Sequence, residues 1–285
     1  MSPCHSEFAF PIPGRTTTHT VMPLIKMRTF RDQMGTIVTC ASPPERIISL
    51  VPSQTELLAS LGLDENVVGI TKFCVHPDSW RQTKTKVGGT KQFDFSCIDS
   101  LEPDLIIGNK EENYLEGIET LKAKYPVWMS DISTLNDALD MIRELGDITG
   151  KLDQAGKLIT EIETSFPGRV YNQRVLYLIW KNPWMAAGRD TFIHDMISRI
   201  GFDNVVLHDR YPELSEDQIR SLEPELVFLS SEPYPFRERH IAEVRRFLPR
   251  AQVLTVDGEM FSWYGSRLKY APDYFRSLPL QRHNS

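Results

Sequence analysis

Between Met260 and Arg267 the chain reads Met-Phe-Ser-Trp-Tyr-Gly-Ser-Arg, which sets three aromatic rings beside one guanidinium. Ring faces give flat apolar contact, and an arginine fork can grip a carboxylate or an amide oxygen, although an arginine in a loop also stands simply solvated. His76 stands between Phe73 and Pro77. A neutral imidazole nitrogen ligates transition metals, although a lone histidine more often serves a loop as a hydrogen-bonding group. Trp180 and Trp184 flank the turn signal Asn182-Pro183. Two uses stand open for that pair, contact from a loop or packing in a core.

Motif signals for catalysis are weak in the sequence. It has no G-x-S-x-G nucleophile turn, no Walker phosphate loop, no H-E-x-x-H zinc helix and no G-x-G-x-x-G after a strand. Gly88-Gly-Thr-Lys91 shares only its glycines and lysine with a phosphate loop. Cys4, Cys40, Cys74 and Cys97 are widely and unequally spaced, which signals neither a metal knuckle nor a disulfide framework. Cys40, Cys74 and Cys97 read as small buried hydrophobes.

Composition agrees with a globular chain: 285 residues, 41% hydrophobic and 25% charged, with a formal net charge of -6. An acidic chain repels a phosphate backbone, so nucleic acid is not the expected partner. The longest apolar run, Val175–Trp180, is far shorter than the roughly 20 residues that a membrane helix needs. Residues 1–26 carry Pro3, Pro11, Pro13 and Gly14 but no basic region leading into an apolar stretch, and are expected to form a flexible extension. The sequence as it stands predicts a cytoplasmic protein; a mis-assigned start would allow a periplasmic one.

The elements that must position these residues come in two copies. Ile98-Asp-Ser-Leu-Glu-Pro-Asp-Leu-Ile-Ile107 returns as Ile219-Arg-Ser-Leu-Glu-Pro-Glu-Leu-Val-Phe228, with six of ten positions identical. Arg46-Ile-Ile-Ser-Leu50 is echoed by Arg174-Val-Leu-Tyr-Leu178, and Gly62–Val68 by Gly201–Val206, in the same order. In the first copy a β-branched run, Ile47–Val51, ends at Pro52; Ser53 and Glu56 then offer a capping box for a helix closed by Gly62. Strands over Val67–Ile70 and Leu105–Gly108 follow, with a helix over Ser96–Leu101 between them. The second copy predicts helices over Thr191–Ile200 and Asp217–Leu222 and a strand over Leu226–Ser230. Strands of this kind alternating with helices imply parallel sheets covered on both faces. Between the copies, apolar residues from Leu135 to Ile162 recur at helical spacing, and the 33 positions of Thr134–Phe166 would extend about 50 Å as one helix, with Gly146 and Gly150 as possible breaks.

This arrangement resembles the helical-backbone class of substrate-binding proteins that serve bacterial importers of cobalamin, haem and ferric siderophores. The likeness runs from about Met27 to Leu278 and is carried by Arg46-Ile-Ile-Ser-Leu-Val-Pro-Ser-Gln-Thr-Glu-Leu-Leu58, by the Gly62-Leu63 helix end and by Val68-Gly-Ile70. The aromatic segment ending at Arg267 makes it most similar to the cobalamin-binding branch. The resemblance implies an α/β protein of two similar Rossmann-like lobes, residues 27–131 and 171–285, joined by a backbone helix within residues 132–170, with a ligand cleft between the lobes. It implies ligand contacts from Pro52, Ser53, Gln54, Phe73, His76, Thr90 and Lys91 in the first lobe. In the second it implies Trp180, Trp184, Arg189, Trp263, Tyr264, Ser266 and Arg267. Tyr264 would be an aromatic wall or an axial phenolate to haem iron.

The expected ligand is cobalamin, haem or a ferric siderophore, held without chemistry and with no intrinsic cofactor or metal, by a monomer. The implied partner is an ABC importer permease, docked through acidic outer residues that align with Ser96 and Asp217; the first lobe lacks the charge at that position, with Asp94 nearby. The alternatives are a cytoplasmic cofactor-assisted enzyme or a corrinoid carrier using the same cleft. A further alternative is a partner-binding module that has lost its small ligand, for which a cleft filled by its own side chains is expected.

Overall fold

The structure is a computed structural model that describes residues 26–166, 168 and 170–280. The extension expected over residues 1–26 lies outside the described residues, apart from Lys26. Among the described residues, no helix is long and apolar enough to cross a membrane.

The sequence repeat is also a repeat of backbone geometry. Glu102 and Glu223, which occupy the same place in the two copies, take left-handed φ values of 43° and 44°. Each ends its short helix just before a proline and the next strand. Gly62 and Gly201 end the preceding helices at φ 77° and 102°, where a side chain would strain the backbone. Strand entry is fixed alike in both copies. The Asp104 carboxylate accepts from the Glu45 and Arg46 amides, and Glu225 accepts from the Arg174 amide. The Arg46 and Arg174 guanidiniums donate to the Leu101 and Leu222 carbonyls.

In the first lobe, strands run in the order Thr85–Lys86, Val67–Ile70, Ile47–Ser49, Leu105–Asn109 and Val127–Ser130, all parallel. A hairpin of Met27–Arg31 with Ile37–Ala41 precedes it. The second lobe departs from a purely parallel sheet. Arg174–Trp180, Leu226–Ser230 and Gln252–Val256 are parallel neighbours, but Trp184–Ala186 pairs antiparallel with Arg174–Trp180 and carries Glu213–Leu214 on its outer edge. The cause is local: the Lys181–Pro183 turn, with Asn182 at φ 64°, sends the chain straight back along the strand it has just left.

The connector is two helices, Leu135–Ile148 and Leu152–Ser165. Thr134 and Asp137 form a capping box at its start. A Cβ built on Gly146 would lie 2.5 Å from the Cβ of Ala155. Nine residues of continuous helix would hold them about 14 Å apart, so the chain turns back at Thr149–Lys151, with Gly150 at φ 69°. The connector is therefore a helical hairpin and not one helix of full length. Its apolar faces share a single hydrophobic core with Ile47, Ile107 and Trp128 of the first lobe and Val175, Tyr177 and Phe228 of the second. The outer faces of the two sheets have separate cores of their own.

Two alanine substitutions in this hairpin are expected to act in opposite directions. Gly146→Ala forces the helices apart, and overpacking of about 1–3 kcal/mol outweighs a gain in helix propensity of about 1 kcal/mol. Gly156→Ala meets no atom within 4 Å and keeps only the propensity gain. Urea unfolding should show a lower midpoint for the first variant and a higher one for the second; a shift in the same direction for both would contradict the close packing.

Candidate functional site

The first lobe presents the start of its Pro52–Ser60 helix to the second. Proline at the first helical position replaces the expected capping box: Val51 is the cap residue, its side chain makes no cap bond, and Glu56 is left free to point elsewhere. Ser53 and Gln54 are buried. The Gln54 amide donates to Ser130 Oγ at 2.7 Å and to the Gly108 carbonyl at 3.3 Å, tying the helix to its own sheet and not to the cleft. On neighbouring loops Phe73 is 51% exposed, with the Lys72 ammonium 5.2 Å from its ring centre. Lys91 reaches the carbonyls of Glu111 and Asn113, and the Thr90 carbonyl accepts from Asn113.

The second lobe answers with the short helix Glu259–Ser262, then Trp263, Tyr264, Gly265 and a 3-10 turn over Ser266–Lys269. Arg267 Nε and Nη2 donate to the two oxygens of Glu56 at 3.0 and 2.8 Å, and Nη1 lies 2.9 Å from Glu259. The same guanidinium lies 4.8 Å above the Trp263 ring, whose indole nitrogen donates to Glu232 at 3.0 Å. His76 of the first lobe meets that ring edge-on at 5.6 Å and lies 3.4 Å from Glu259. The Tyr264 hydroxyl donates to Glu112 across the seam at 3.0 Å. Arg210 pairs with Glu111 in the same region. Gly265 approaches so closely that a Cβ there would lie 2.5 Å from the Ser53 carbonyl oxygen, leaving no room for a side chain.

The seam thus brings together His76, Trp263, Tyr264, Arg267 and the Pro52–Gln54 turn from the sequence expectation. Trp263, Tyr264 and Arg267 are largely buried there. Trp184 lies elsewhere, stacked on Phe236 in the outer core of the second lobe, because the hairpin turn places it in the sheet. Trp180 is partly exposed at the end of its strand, edge-on to Tyr234 at 5.4 Å. Arg189 is exposed, its backbone bonded to His208 and Arg210, while Ser266 is buried. Beside the seam, a depression of about 550 Å³ is lined by Ser231, Phe236, Arg237, Asp257 and Glu259, among others.

Four carboxylates that pair with Trp263, Tyr264 or Arg267 were not expected from the sequence as members of the site: Glu56, Glu112, Glu232 and Glu259. Burial pushes the Glu112 carboxyl up to about 7, against the opposing hydrogen bond from Tyr264, and nearby Glu232 pushes it the same way. Burial also raises Glu232, opposed by the Ser262 hydroxyl and reinforced by Glu259. On the outer surface, Asp217 is 90% exposed and pairs with Arg220 of its own helix. Asp94 caps the Phe95–Leu101 helix, where the Cys97 amide and the Ser96 hydroxyl hold its carboxyl below the usual range.

Two α/β lobes on a shared core, meeting along a polar and aromatic seam, define a two-lobed binding fold with its candidate site between the lobes. The chain belongs to the periplasmic binding protein family, whose profile matches residues 47–248. It is 24% identical over 243 residues to a vitamin B12-binding protein of Pectobacterium carotovorum, covering 80% of this chain and 86% of that protein. The periplasmic vitamin B12-binding protein of Vibrio cholerae superposes with a TM-score of 0.67 at 21% identity, over 81% of this chain and 94% of that one. A periplasmic haem-binding protein of the same organism gives 0.70 at 21% identity, over 83% and 99%. The profile match ends before the segment that carries Trp263 and Arg267.

The raised Glu112 carboxyl has a definite consequence for stability. A carboxyl that holds its proton more tightly in the folded chain favours folding less as pH rises from about 4.5, its ordinary value, through about 7. Glu112→Gln removes that loss. Melting temperatures should match wild type at pH 4 and exceed it at pH 8; an equal offset at both pH values would show that Glu112 does not titrate in this way.

Proposed function

We propose that the protein is the substrate-binding component of an ABC-type importer and holds a cobalamin-like corrinoid between its lobes, with haem or a ferric siderophore as the alternative cargo. The observation that carries this reading is the setting of Trp263: an indole plate at the junction of the lobes, with a guanidinium on its face and an imidazole at its edge. A flat macrocycle with polar arms needs this combination of ring surface and fixed donors. Family membership supports it, since the family is one of binding proteins. On this reading the cargo is held and released unchanged.

On this reading the lobes run over residues 27–131 and 171–285, and Pro52, Ser53, Phe73, His76, Thr90, Lys91, Trp180, Arg189, Trp263, Tyr264, Ser266 and Arg267 approach the ligand. Gln54 and Trp184 would act from behind, by holding their loops. Entry requires the lobes to part, because a macrocycle has no path while Gly265 backs onto Ser53 and Arg267 is tied to Glu56. Asp217 is left to docking against a permease. An importer component works on the outer side of the membrane, whereas a corrinoid carrier would stay in the cytoplasm; fractionation of cells that make the protein separates the two.

One observation favours a second reading, a partner-binding module without a small ligand: Trp263, Tyr264 and Arg267 are largely buried in the seam. Titration with cyanocobalamin, haemin and a ferric catecholate, followed by fluorescence quenching, decides between them. Saturable binding of one unmodified ligand is the expected result, and binding of none would favour the partner module. On the best ligand, Trp263→Ala should cost about 2 kcal/mol, roughly thirtyfold in dissociation constant, and Asp217→Ala should cost nothing. Wild-type affinity in the Trp263 variant would place the site elsewhere.

A further inference from the structure

Among the described residues, the three groups that hold the Arg267 guanidinium come from both lobes. Glu259 and Trp263 belong to the same short segment as Arg267, so they keep the guanidinium in place whichever way the lobes move. Glu56 alone comes from the first lobe, on the helix that starts at Pro52. It takes the Nε and Nη2 edge with both oxygens, the parallel two-bond geometry by which an arginine recognises a carboxylate. The Arg267 side chain is only 13% exposed, so an edge vacated by Glu56 would leave poorly solvated N–H groups without a partner.

We propose that this edge of Arg267 is a recognition point for a carboxylate of the ligand, and that Glu56 occupies it as an internal competitor while the ligand is absent. The proposal rests on the reading of the seam as a ligand site and, because the side chains of cobalamin are amides, favours within that reading a macrocycle that carries free carboxylates, such as haem or an acid form of a corrinoid. Replacement keeps the guanidinium paired, since it faces two carboxylates before and after. Glu56 also acts as a threshold, because a ligand without an acid group separates the lobes with nothing to put in its place. Glu259, which stays with Arg267, holds the fork in the orientation the incoming group needs.

The test compares ligands that differ only in free carboxylates. One pair is haemin and haemin dimethyl ester; the other is cyanocobalamin monocarboxylic acid, made by hydrolysing one side-chain amide, and cyanocobalamin itself. Wild-type protein is expected to bind the acid of a pair at least tenfold more tightly than its neutral counterpart, a comparison that needs no variant. Glu56→Gln should tighten acid and neutral forms alike, by about tenfold, because both must part Glu56 from Arg267, and should keep the preference for the acid, whereas Arg267→Ala, checked for folding by its melting curve, should abolish that preference. Equal binding of acid and neutral forms by the wild type would overturn the proposal and leave the ligand site standing. Glu56→Gln weakening both forms alike would also overturn it, by making Glu56 a support of the site. Binding of none of the four compounds by any form of the protein would defeat both the proposal and the reading beneath it.

Discussion

One hydrophobic core runs from the sheet of the first lobe through the helical hairpin into the sheet of the second, and the contacts at the seam depend on it. Dispersion and the removal of apolar surface from water act here without direction, but close packing makes the result specific: Gly146 against Ala155 fixes how the hairpin folds, and the hairpin fixes how the sheets face each other. Bonds such as Tyr264 to Glu112 and Arg267 to Glu56 tolerate displacements of only a few tenths of an ångström. They form because the apolar scaffold has already brought residues more than 150 positions apart into register.

Shared packing also limits motion. Two lobes joined only by flexible strands can swing widely, whereas lobes that share a core with a helical hairpin can part only by small displacements at its edge. The seam lies at that edge. Its contacts are polar and aromatic, of the kind a ligand can replace one for one, while the contacts behind it are apolar. The division gives a structural basis for a binding site that opens modestly without unfolding its scaffold.

Much of this was legible in the sequence, and for physical reasons. Apolar strands, helix-ending glycines and the repeated Leu-Glu-Pro motif are local signals, and each reappears as a strand, a left-handed turn or a chain entry. Trp263, Tyr264 and Arg267 were visible because three rings and a guanidinium in one short stretch are conspicuous. Their partners were not. Glu56 reads as the second half of a capping box, and nothing within its helix points to an arginine 211 residues away. Glu112, Glu232 and Glu259 look like ordinary surface acids until the fold buries or pairs them. Trp184 misled for the opposite reason: Asn182-Pro183 does mark a turn, but a turn tight enough to return the chain to the sheet, which moves the indole from a loop into a core. The turn of the connector was legible only as Gly146 and Gly150, since helical spacing continues across it.

A crystal structure of the protein with its tightest-binding macrocycle tests the central claim most directly. The account predicts electron density for the ligand between the Pro52–Gln54 turn and the Phe261–Arg267 segment, with the Trp263 ring against the macrocycle, Arg267 parted from Glu56, and the helical hairpin unchanged. Ligand bound instead in the depression beside Ser231, Phe236 and Arg237, with the Arg267 to Glu56 pair intact, would contradict it.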